Sequence, residues 1–425
     1  MNNTQAILSQ TFNISDKLLR LSEGVEKELL PLFEEIDATA SFNQLKVLSA
    51  MQQNRLSEAH FTATNGYGYN DLGRDALEGI YAQVFACQSA LVRPQMISGT
   101  HAISTALFGI LRYGDEMLSI TGRPYDTLLK VIGVTNSQGS LAEHGVTYKE
   151  AALKENGAVD FGEVKRLVTP KTKVAAIQRS KGYGWRPSFT AAEINEMIAF
   201  VKSINKDIIC FVDNCYGEFV DVFEPDADIM AGSLIKNPGG GLAPVGGYIA
   251  GREDLVYAAA CRLNTPGAGF EVGPSLGFTP SMLQGLFLAP EVVKGAVKGA
   301  VFCSAMFDRL GFAALPSVKD KRSDIVQAIR MRSPEDVMAF CRGIQKAAPV
   351  DSFVTPEPWD MPGYDCQIVM AAGAFVQGSS IELSADAPIR EPYNVFFQGG
   401  LSYCHSRTGV LFGINEMIQK GLISL

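Results

Sequence analysis

Residues 208–251 read IICFVDNCYGEFVDVFEPDADIMAGSLIKNPGGGLAPVGGYIAG, and this stretch decides the fold of the chain. The apolar run at 208–212 predicts a buried strand, and Asp213 follows at its end. Further along, a single lysine, Lys236, stands beside Ser233 and a glycine-rich turn. An acid at a strand end and a lysine among small residues are therefore the first candidates for a functional site.

Two interpretations of Asp213 and Lys236 are open from these residues alone. In the first, Asp213 caps a helix and Lys236 lies in a solvated loop. In the second, the pair serves pyridoxal 5'-phosphate: the lysine amine forms an imine with the cofactor aldehyde, and the carboxylate keeps the pyridine nitrogen protonated. The other segments of the chain decide between these two interpretations.

Composition and charge exclude several classes of function. The chain has 425 residues, of which 47% are hydrophobic and 19% charged, and this predicts a globular protein with two packed domains. The net charge is −8, and no block of lysines or arginines stands out, which argues against nucleic acid and anionic membranes as partners.

Targeting, redox and metal signals are weak throughout the chain. The N-terminus lacks the basic and apolar segments of a signal peptide, and no run approaches the roughly 18 apolar residues of a membrane helix. The eight cysteines form no CxxC pair, and several lie in apolar segments, as in a reduced cytoplasmic protein. The four histidines lack metal-ligand spacing, so no metal site is expected.

Strand-like and helix-like segments alternate through the first two thirds of the chain. This alternation predicts an α/β fold with a doubly wound, mostly parallel sheet. We expect a helical arm at 1–60, a large cofactor-binding domain at 61–290 and a smaller α+β domain at 291–425. Two particular expectations are a helix through 76–92 and a strand at 353–358.

Two other segments have residues suited to a phosphate and an aromatic ring. Ser98, Gly99 and Thr100 open an apolar helix, and the free N–H groups of a helix N-terminus bind anions. Tyr125 lies at a predicted strand end, where the active-site groups of open α/β sheets gather. The alternatives are a plain helix cap and a half-buried loop aromatic. The loop at 61–75 also combines tyrosines with an arginine, as anion sites and subunit contacts do, although a surface turn is equally open.

Together these pieces favour the cofactor interpretation. The Ser-Gly-Thr turn and Ser233 would hold the phosphate, Tyr125 would stack on the ring, and Lys236 would reach the aldehyde. The lysine would then move the proton at the substrate Cα, with a pKa lowered by cationic neighbours and burial.

The chain resembles fold-type-I pyridoxal-phosphate enzymes of the cystathionine-γ-synthase and methionine-γ-lyase class. It is most similar to the methionine-γ-lyase-like branch named "aluminium resistance protein". The resemblance covers about residues 60–410 and rests on GYGYNDLGRD, ISGTHAISTALFGILRYGDE, IQRSKGYGWRPS, FVDNCYGEFV, GSLIKNPGGGLAPVGGYIAG and IREPY. It implies an aspartate-aminotransferase-like fold and a homotetramer built of dimers, with active sites that take residues from both subunits.

The resemblance also implies roles for particular residues. Tyr67 and Arg74 match the positions that reach the phosphate from the neighbouring subunit. The phosphate turn matches Gly99 and Thr100, the ring-stacking tyrosine matches Tyr125, and a phosphate-binding hydroxyl matches Ser233.

Two departures from the family pattern concern the phosphate and the substrate. The usual Ser-x-Thr-Lys is here Ser233-Leu234-Ile235-Lys236, so one phosphate hydroxyl is missing. The usual Arg-Leu-Ser-Val-Gly segment, which carries the arginine for the substrate carboxylate, is not found. Arg390 is the first candidate to replace that arginine, and Arg407 and Arg179 are weaker ones; a structural salt bridge is the alternative for Arg390.

The implied activity is carbon–sulfur lysis of a sulfur-containing amino acid by α,γ- or β-elimination. Another fold-type-I activity, such as an aminotransferase or an aldolase, is the alternative within enzymes. A third hypothesis is a stress-linked protein that holds the cofactor with little turnover. The motifs do not distinguish these reactions, because they differ in the placement of substrate groups.

Overall fold

The central sheet is built from short apolar runs that end at polar or small residues. The computed structural model describes residues 3–135, 137–361 and 366–425. The strands are β1 (Ser89–Arg93), β2 (Glu116–Ser119), β3 (Thr147–Glu150), β4 (Thr172–Gln178), β5 (Ile209–Asp213), β6 (Ile229–Ser233), β7 (Gly247–Gly251), β8 (Ala314–Leu315), β9 (Gln327–Arg330), β10 (Ile368–Ala372), β11 (Ser384–Pro388) and β12 (Asn394–Gln398). The α-helices are α1 (Asn3–Ala6), α2 (Asp16–Gln53), α3 (Leu72–Val84), α4 (Gly99–Ile110), α5 (Asp126–Ile132), α6 (Phe161–Leu167), α7 (Ala191–Ile204), α8 (Glu253–Leu263), α9 (Thr279–Arg309), α10 (Pro334–Ala347) and α11 (Tyr403–Gln419).

The chain divides into two compact units, residues 42–290 and residues 1–41 with 291–425. The three-part division expected from the sequence stays a prediction. None of the helices in the described ranges combines the length and apolarity that a membrane crossing requires.

The unit of residues 42–290 contains a seven-stranded sheet in the order β1-β7-β6-β5-β4-β2-β3. Strands β2 to β6 are parallel to their neighbours in that set, and β7 runs antiparallel to both β6 and β1. Every residue of β5 and β6 is buried, as expected for parallel strands covered on both faces. The predicted mostly parallel α/β sheet is confirmed.

The helix expected through 76–92 is wrong at its C-terminal half. Helix α3 ends at Val84, and Ser89–Arg93 forms edge strand β1 against β7. The carboxylate of Glu78 accepts hydrogen bonds from Val92 N at 2.9 Å and Arg93 Nε at 2.6 Å. Pairing with a distant strand and a buried ion pair therefore override the apolar periodicity of this segment.

The unit of residues 1–41 and 291–425 contains an antiparallel sheet in the order β10-β11-β12-β9-β8. One face of this sheet packs into a core with α10 and α11, as expected of an α+β module. The strand expected at 353–358 is wrong, because that segment forms no strand. It contains Pro356 and Pro358, which lack the N–H group that a strand ladder requires.

Candidate active site

Three neighbouring parallel strands end at one edge of the sheet and place the candidate residues there. Gln178, the last residue of β4, is opposite Asp213, the last residue of β5. Asp213 is in turn opposite Ala231 of β6, and β6 ends at Ser233. The carboxyl ends of parallel strands are where open α/β sheets bind ligands, so this edge is the candidate site.

Asp213 is a buried carboxylate whose charge has few partners. It is 5% exposed, and its Oδ1 accepts a hydrogen bond from Cys215 N at 3.2 Å. Burial raises the pKa of Asp213, while the charge of Lys236 and the bond from Cys215 oppose that rise. A carboxylate held in this way can stabilise a positive charge brought next to it.

Lys236 follows β6 and points its amine at an aromatic ring. Its Nζ lies 3.9 Å from the ring centroid of Tyr216, within cation–π distance. Burial by itself lowers the pKa of Lys236, but the acidic groups of Cys215, Tyr216 and Asp213 outweigh burial and raise it. In the ligand-free chain the fold therefore surrounds the amine with acids, and the lowered pKa expected for the lysine during the reaction stays a prediction.

The start of α4 lies against the end of β6. Ser98 caps the helix, and its Oγ accepts a hydrogen bond from His101 N at 3.1 Å. A Cβ atom at Gly99 would lie 3.1 Å from Ser233 Cβ and 3.3 Å from Cys215 Sγ, so a glycine permits this approach. The Ser233 Oγ is buried and has no hydrogen-bond partner among the described residues. An unpartnered hydroxyl beside a helix N-terminus fits an anionic group such as a phosphate.

Tyr125 lies beside the same helix start. Its hydroxyl is 3.3 Å from Thr100 Oγ1, and its backbone N donates to Gln178 Oε1 at 3.1 Å. Burial and the charge of Asp213 raise the pKa of the Tyr125 phenol, so the phenol stays protonated. The structure thus gathers the following residues at one strand edge: Gly99, Thr100, Tyr125, Asp213, Ser233 and Lys236.

These residues fit pyridoxal phosphate. The unpartnered Ser233 hydroxyl and the α4 N-terminus suit its phosphate, and the buried Asp213 suits its ring nitrogen. Lys236 supplies the amine that the aldehyde requires.

The sequence profile described as methionine gamma-lyase matches residues 18–418. The chain belongs to this family. The uncharacterized protein YnbB of Bacillus subtilis (strain 168) is 49% identical over 418 residues, which cover 97% of this chain and 99% of that protein.

Solved structures of other proteins agree with the family and the fold. A carbon-sulfur lyase involved in aluminum resistance from Clostridium novyi NT is 48% identical with a TM-score of 0.94, over 98% of this chain and 100% of that chain. Cystathionine gamma-lyase from Lactobacillus plantarum is 15% identical with a TM-score of 0.54, over 81% of this chain and 86% of that chain. The second similarity concerns the fold alone, and the predicted fold-type-I architecture is confirmed.

Tyr67 and Arg74 of this methionine gamma-lyase family member make contacts within the chain itself. Arg74 donates to Gly68 O at 2.7 Å and Gly273 O at 3.3 Å, and it forms an ion pair with Asp75 at 2.9 Å. Tyr67 is 72% exposed and stacks on Tyr69 with ring centroids 5.4 Å apart. Their expected role toward a neighbouring subunit stays a prediction.

The three candidate arginines for a substrate carboxylate have different surroundings. Arg179 is enclosed, with its Nη1 2.9 Å from Glu224 Oε2, so the structure gives it the contacts of an interior ion pair. Arg407 pairs with Glu26 at 2.8 Å. Arg390 is exposed in the loop between β11 and β12. Of the three, Arg390 is the most exposed, and which of them meets a substrate carboxylate stays a prediction.

The structure reveals site residues that the sequence reasoning missed. Tyr216 lies under the Lys236 amine, and a buried polar network continues beneath it. In that network, Tyr248 donates to Glu218 Oε1 at 2.8 Å, and Asn214 Nδ2 donates to Tyr248 OH at 3.2 Å. The available signal was the presence of single polar residues inside apolar segments, such as the tyrosine in GGYIAG.

Proposed function

We propose that this chain is a pyridoxal-phosphate-dependent carbon–sulfur lyase that acts on a sulfur-containing amino acid. The observation that carries the proposal is the buried Asp213 beside Lys236, at a strand edge where Ser233 Oγ has no partner among the described residues. The name of the C. novyi relative, a carbon-sulfur lyase, supports the reaction class.

Each of these residues has a proposed part in holding the cofactor. Ser233 and the start of α4 at Gly99 and Thr100 would bind the phosphate. Ser98 would contribute through its backbone, because its hydroxyl caps the helix. Asp213 would face the ring nitrogen. When bound, the cofactor supplies an electron-withdrawing cationic ring that stabilises negative charge at the substrate Cα.

The proton transfers are assigned to groups of the chain. Lys236 Nζ, held over Tyr216, would take the proton from the substrate Cα and return protons later in the reaction. The Tyr125 phenol, kept protonated by burial and by Asp213, is the proposed donor to the leaving sulfur. The carbon–sulfur bond then breaks with a thiol as the leaving molecule, and water converts the remaining fragment to a 2-oxo acid and ammonia. The substrate carboxylate is assigned to Arg390.

We also propose a cytoplasmic homo-oligomer, a dimer of dimers with active sites at the subunit interface. The exposed Tyr67, which precedes the Gly68 carbonyl that accepts from the buried Arg74, supports a loop that is completed by a neighbouring chain. The location of several cysteines inside apolar segments supports a reducing compartment.

A substrate panel tests the reaction. Purified holoenzyme is incubated with methionine, homocysteine or cystathionine, and 2-oxo acid and thiol are measured together. The lyase should release both in equal amounts, and the Lys236→Ala variant should release neither. Amino-group exchange with a 2-oxo acid, without thiol, would instead establish an aminotransferase. A spectral response to these amino acids without turnover would indicate a protein that only holds the cofactor.

A further inference from the structure

Glu218 is a fully buried acid beneath the candidate active site. Its Oε1 accepts a hydrogen bond from the Tyr248 hydroxyl at 2.8 Å, and its Oε2 has no partner among the described residues. A Cβ atom at Gly232, next to Ser233 in β6, would lie 2.7 Å from Glu218 Oε1. The acid therefore packs directly on the strand that leads to Lys236.

The main chain around Glu218 holds the turn that follows Lys236. Asn237, the residue after the lysine, donates from its Nδ2 to Tyr216 O at 2.9 Å and Glu218 O at 3.0 Å. Tyr216 and Phe219 have φ angles of 73° and 64°, a left-handed backbone conformation that residues other than glycine seldom adopt. A turn of this kind persists only where its surroundings hold it in place.

Tyr248 of β7 connects the two ends of the turn at residues 214–219. Its hydroxyl donates to Glu218 and accepts from Asn214 Nδ2 at 3.2 Å, and Asn214 follows Asp213 directly. The Tyr248 hydroxyl thus links Asn214, which follows Asp213, to Glu218, whose carbonyl accepts the hydrogen bond from Asn237.

Burial and the neighbouring Glu224 favour the uncharged form of Glu218. Glu224 accepts a hydrogen bond from Phe219 N at 3.0 Å, is paired with Arg179 at 2.9 Å and opposes a second negative charge nearby. Tyr248 faces Glu218 from β7, and the positive charge of Lys236, which follows β6, attracts the charged form of the acid. Burial raises the pKa of Glu218 to about 8, and the charge of Glu224 adds to this rise, while a backbone hydrogen bond, the Tyr248 hydroxyl and Lys236 oppose it. An unpartnered buried oxygen costs less free energy on a neutral acid than on a carboxylate.

We propose that Glu218 and Tyr248 are a positioning pair: as an uncharged acid and its hydrogen-bond donor, they fix the 214–219 turn, and Asn237 transmits that position to Lys236. The pair touches neither substrate nor cofactor in this proposal. The inference rests on the proposed function, because it assigns Lys236 as the residue that reacts.

The test compares Tyr248→Phe and Glu218→Gln with Tyr148→Phe. Tyr148 is the matched control, because its hydroxyl donates to Glu150 at the same distance of 2.8 Å on strand β3. Three quantities are measured: kcat and KM, the affinity of cofactor-free protein for pyridoxal phosphate, and the pH midpoint of the absorbance band that depends on Lys236.

Tyr248→Phe should lower kcat by about tenfold or more and leave KM within about threefold. It should weaken pyridoxal-phosphate binding to cofactor-free protein and move the band's pH midpoint by about half a unit or more. Glu218→Gln should stay close to wild type, because a glutamine oxygen still accepts from Tyr248 and carries no charge. Tyr148→Phe should match wild type in all three measurements.

Wild-type values for Tyr248→Phe in all three measurements would overturn the proposal. A loss in Glu218→Gln as large as that in Glu218→Leu would overturn the uncharged role of the acid. If Tyr248→Phe does not fold, Asn237→Ala replaces it, and this variant should show the same losses because it removes both bonds to the turn. A wild-type protein without a Lys236-dependent band would overturn the proposed function and this pair with it, whereas failure of the pair alone leaves the wild-type band and turnover intact.

Discussion

Two buried pairs of opposite charge in the same sheet unit are built in opposite ways. At the β1 edge, both oxygens of Glu78 are bonded to Arg93, at 2.6 and 3.3 Å, and one of them also accepts from Val92 N. At the β5 and β6 ends, Asp213 and Lys236 keep hydrogen-bonding capacity beside an unpartnered Ser233 hydroxyl. The hydrogen bonds of the first pair are made within the fold, and the second pair leaves polar groups available for a ligand.

The largest expected effect is that of Lys236→Ala, which removes one member of the Asp213–Lys236 pair. This variant should lose the pyridoxal-phosphate absorbance band at about 400–430 nm and all turnover, because no other lysine occupies such a position. Absorbance of the reconstituted protein measures the band, and circular dichroism confirms that the fold is retained. A band that persists unchanged would remove Lys236 from its role.

Asp213→Asn should lower kcat by about a hundredfold while the protein still folds. The amide keeps the size of the carboxylate but lacks the charge that is proposed to stabilise the cationic ring. Steady-state kinetics measures the loss, and thermal unfolding measures stability. Wild-type turnover in this variant would contradict the proposed role of the carboxylate.

Glu78→Gln should produce the opposite pattern. It leaves the buried Arg93 without its counter-charge, and breaking a buried ion pair costs about 3–5 kcal/mol. Chemical denaturation should show this loss in the free energy of unfolding, while kcat per folded molecule stays at the wild-type value. A strong decrease of kcat in Glu78→Gln at equal folded fraction would mean that the Glu78–Arg93 and Asp213–Lys236 pairs do not differ in function.

The smallest expected effect is that of Ser233→Ala. A lost hydrogen bond to a phosphate would weaken pyridoxal-phosphate binding by about tenfold, equivalent to about 1.5 kcal/mol. The cofactor-free protein should lose no stability, because the Ser233 hydroxyl has no partner among the described residues. Titration with pyridoxal phosphate and thermal unfolding measure the two quantities, and unchanged affinity would contradict a phosphate contact.

The fold class could be predicted because it depends on local patterns. The apolar run before Asp213 and the glycine-rich segment after Lys236 are each specific in sequence. Strand β1 could not be predicted, because its residues continue the apolar pattern of α3 and become a strand only by pairing with β7.

The candidate site could be predicted in part for the same reason. Gly99 and Ser233 belong to short motifs, and the structure brings them together. Glu218 and Tyr248 lie within the quoted segments FVDNCYGEFV and GSLIKNPGGGLAPVGGYIAG, but neither segment indicates that the two side chains meet, because the contact joins a turn to a separate strand. The acidic groups around the Lys236 amine could not be predicted, because they become its neighbours only in the folded chain.

The sulfur atom beside Gly99 has a consequence for the proposed chemistry. Burial and the charge of Asp213 raise the pKa of the Cys215 thiol well above its ordinary value, so almost none of it is thiolate. Disulfides that form when dissolved oxygen oxidises the released thiol, like alkylating electrophiles, react with cysteine through its thiolate. Cys215 is therefore protected by its location, and alkylating reagents should modify the exposed Cys404 before it.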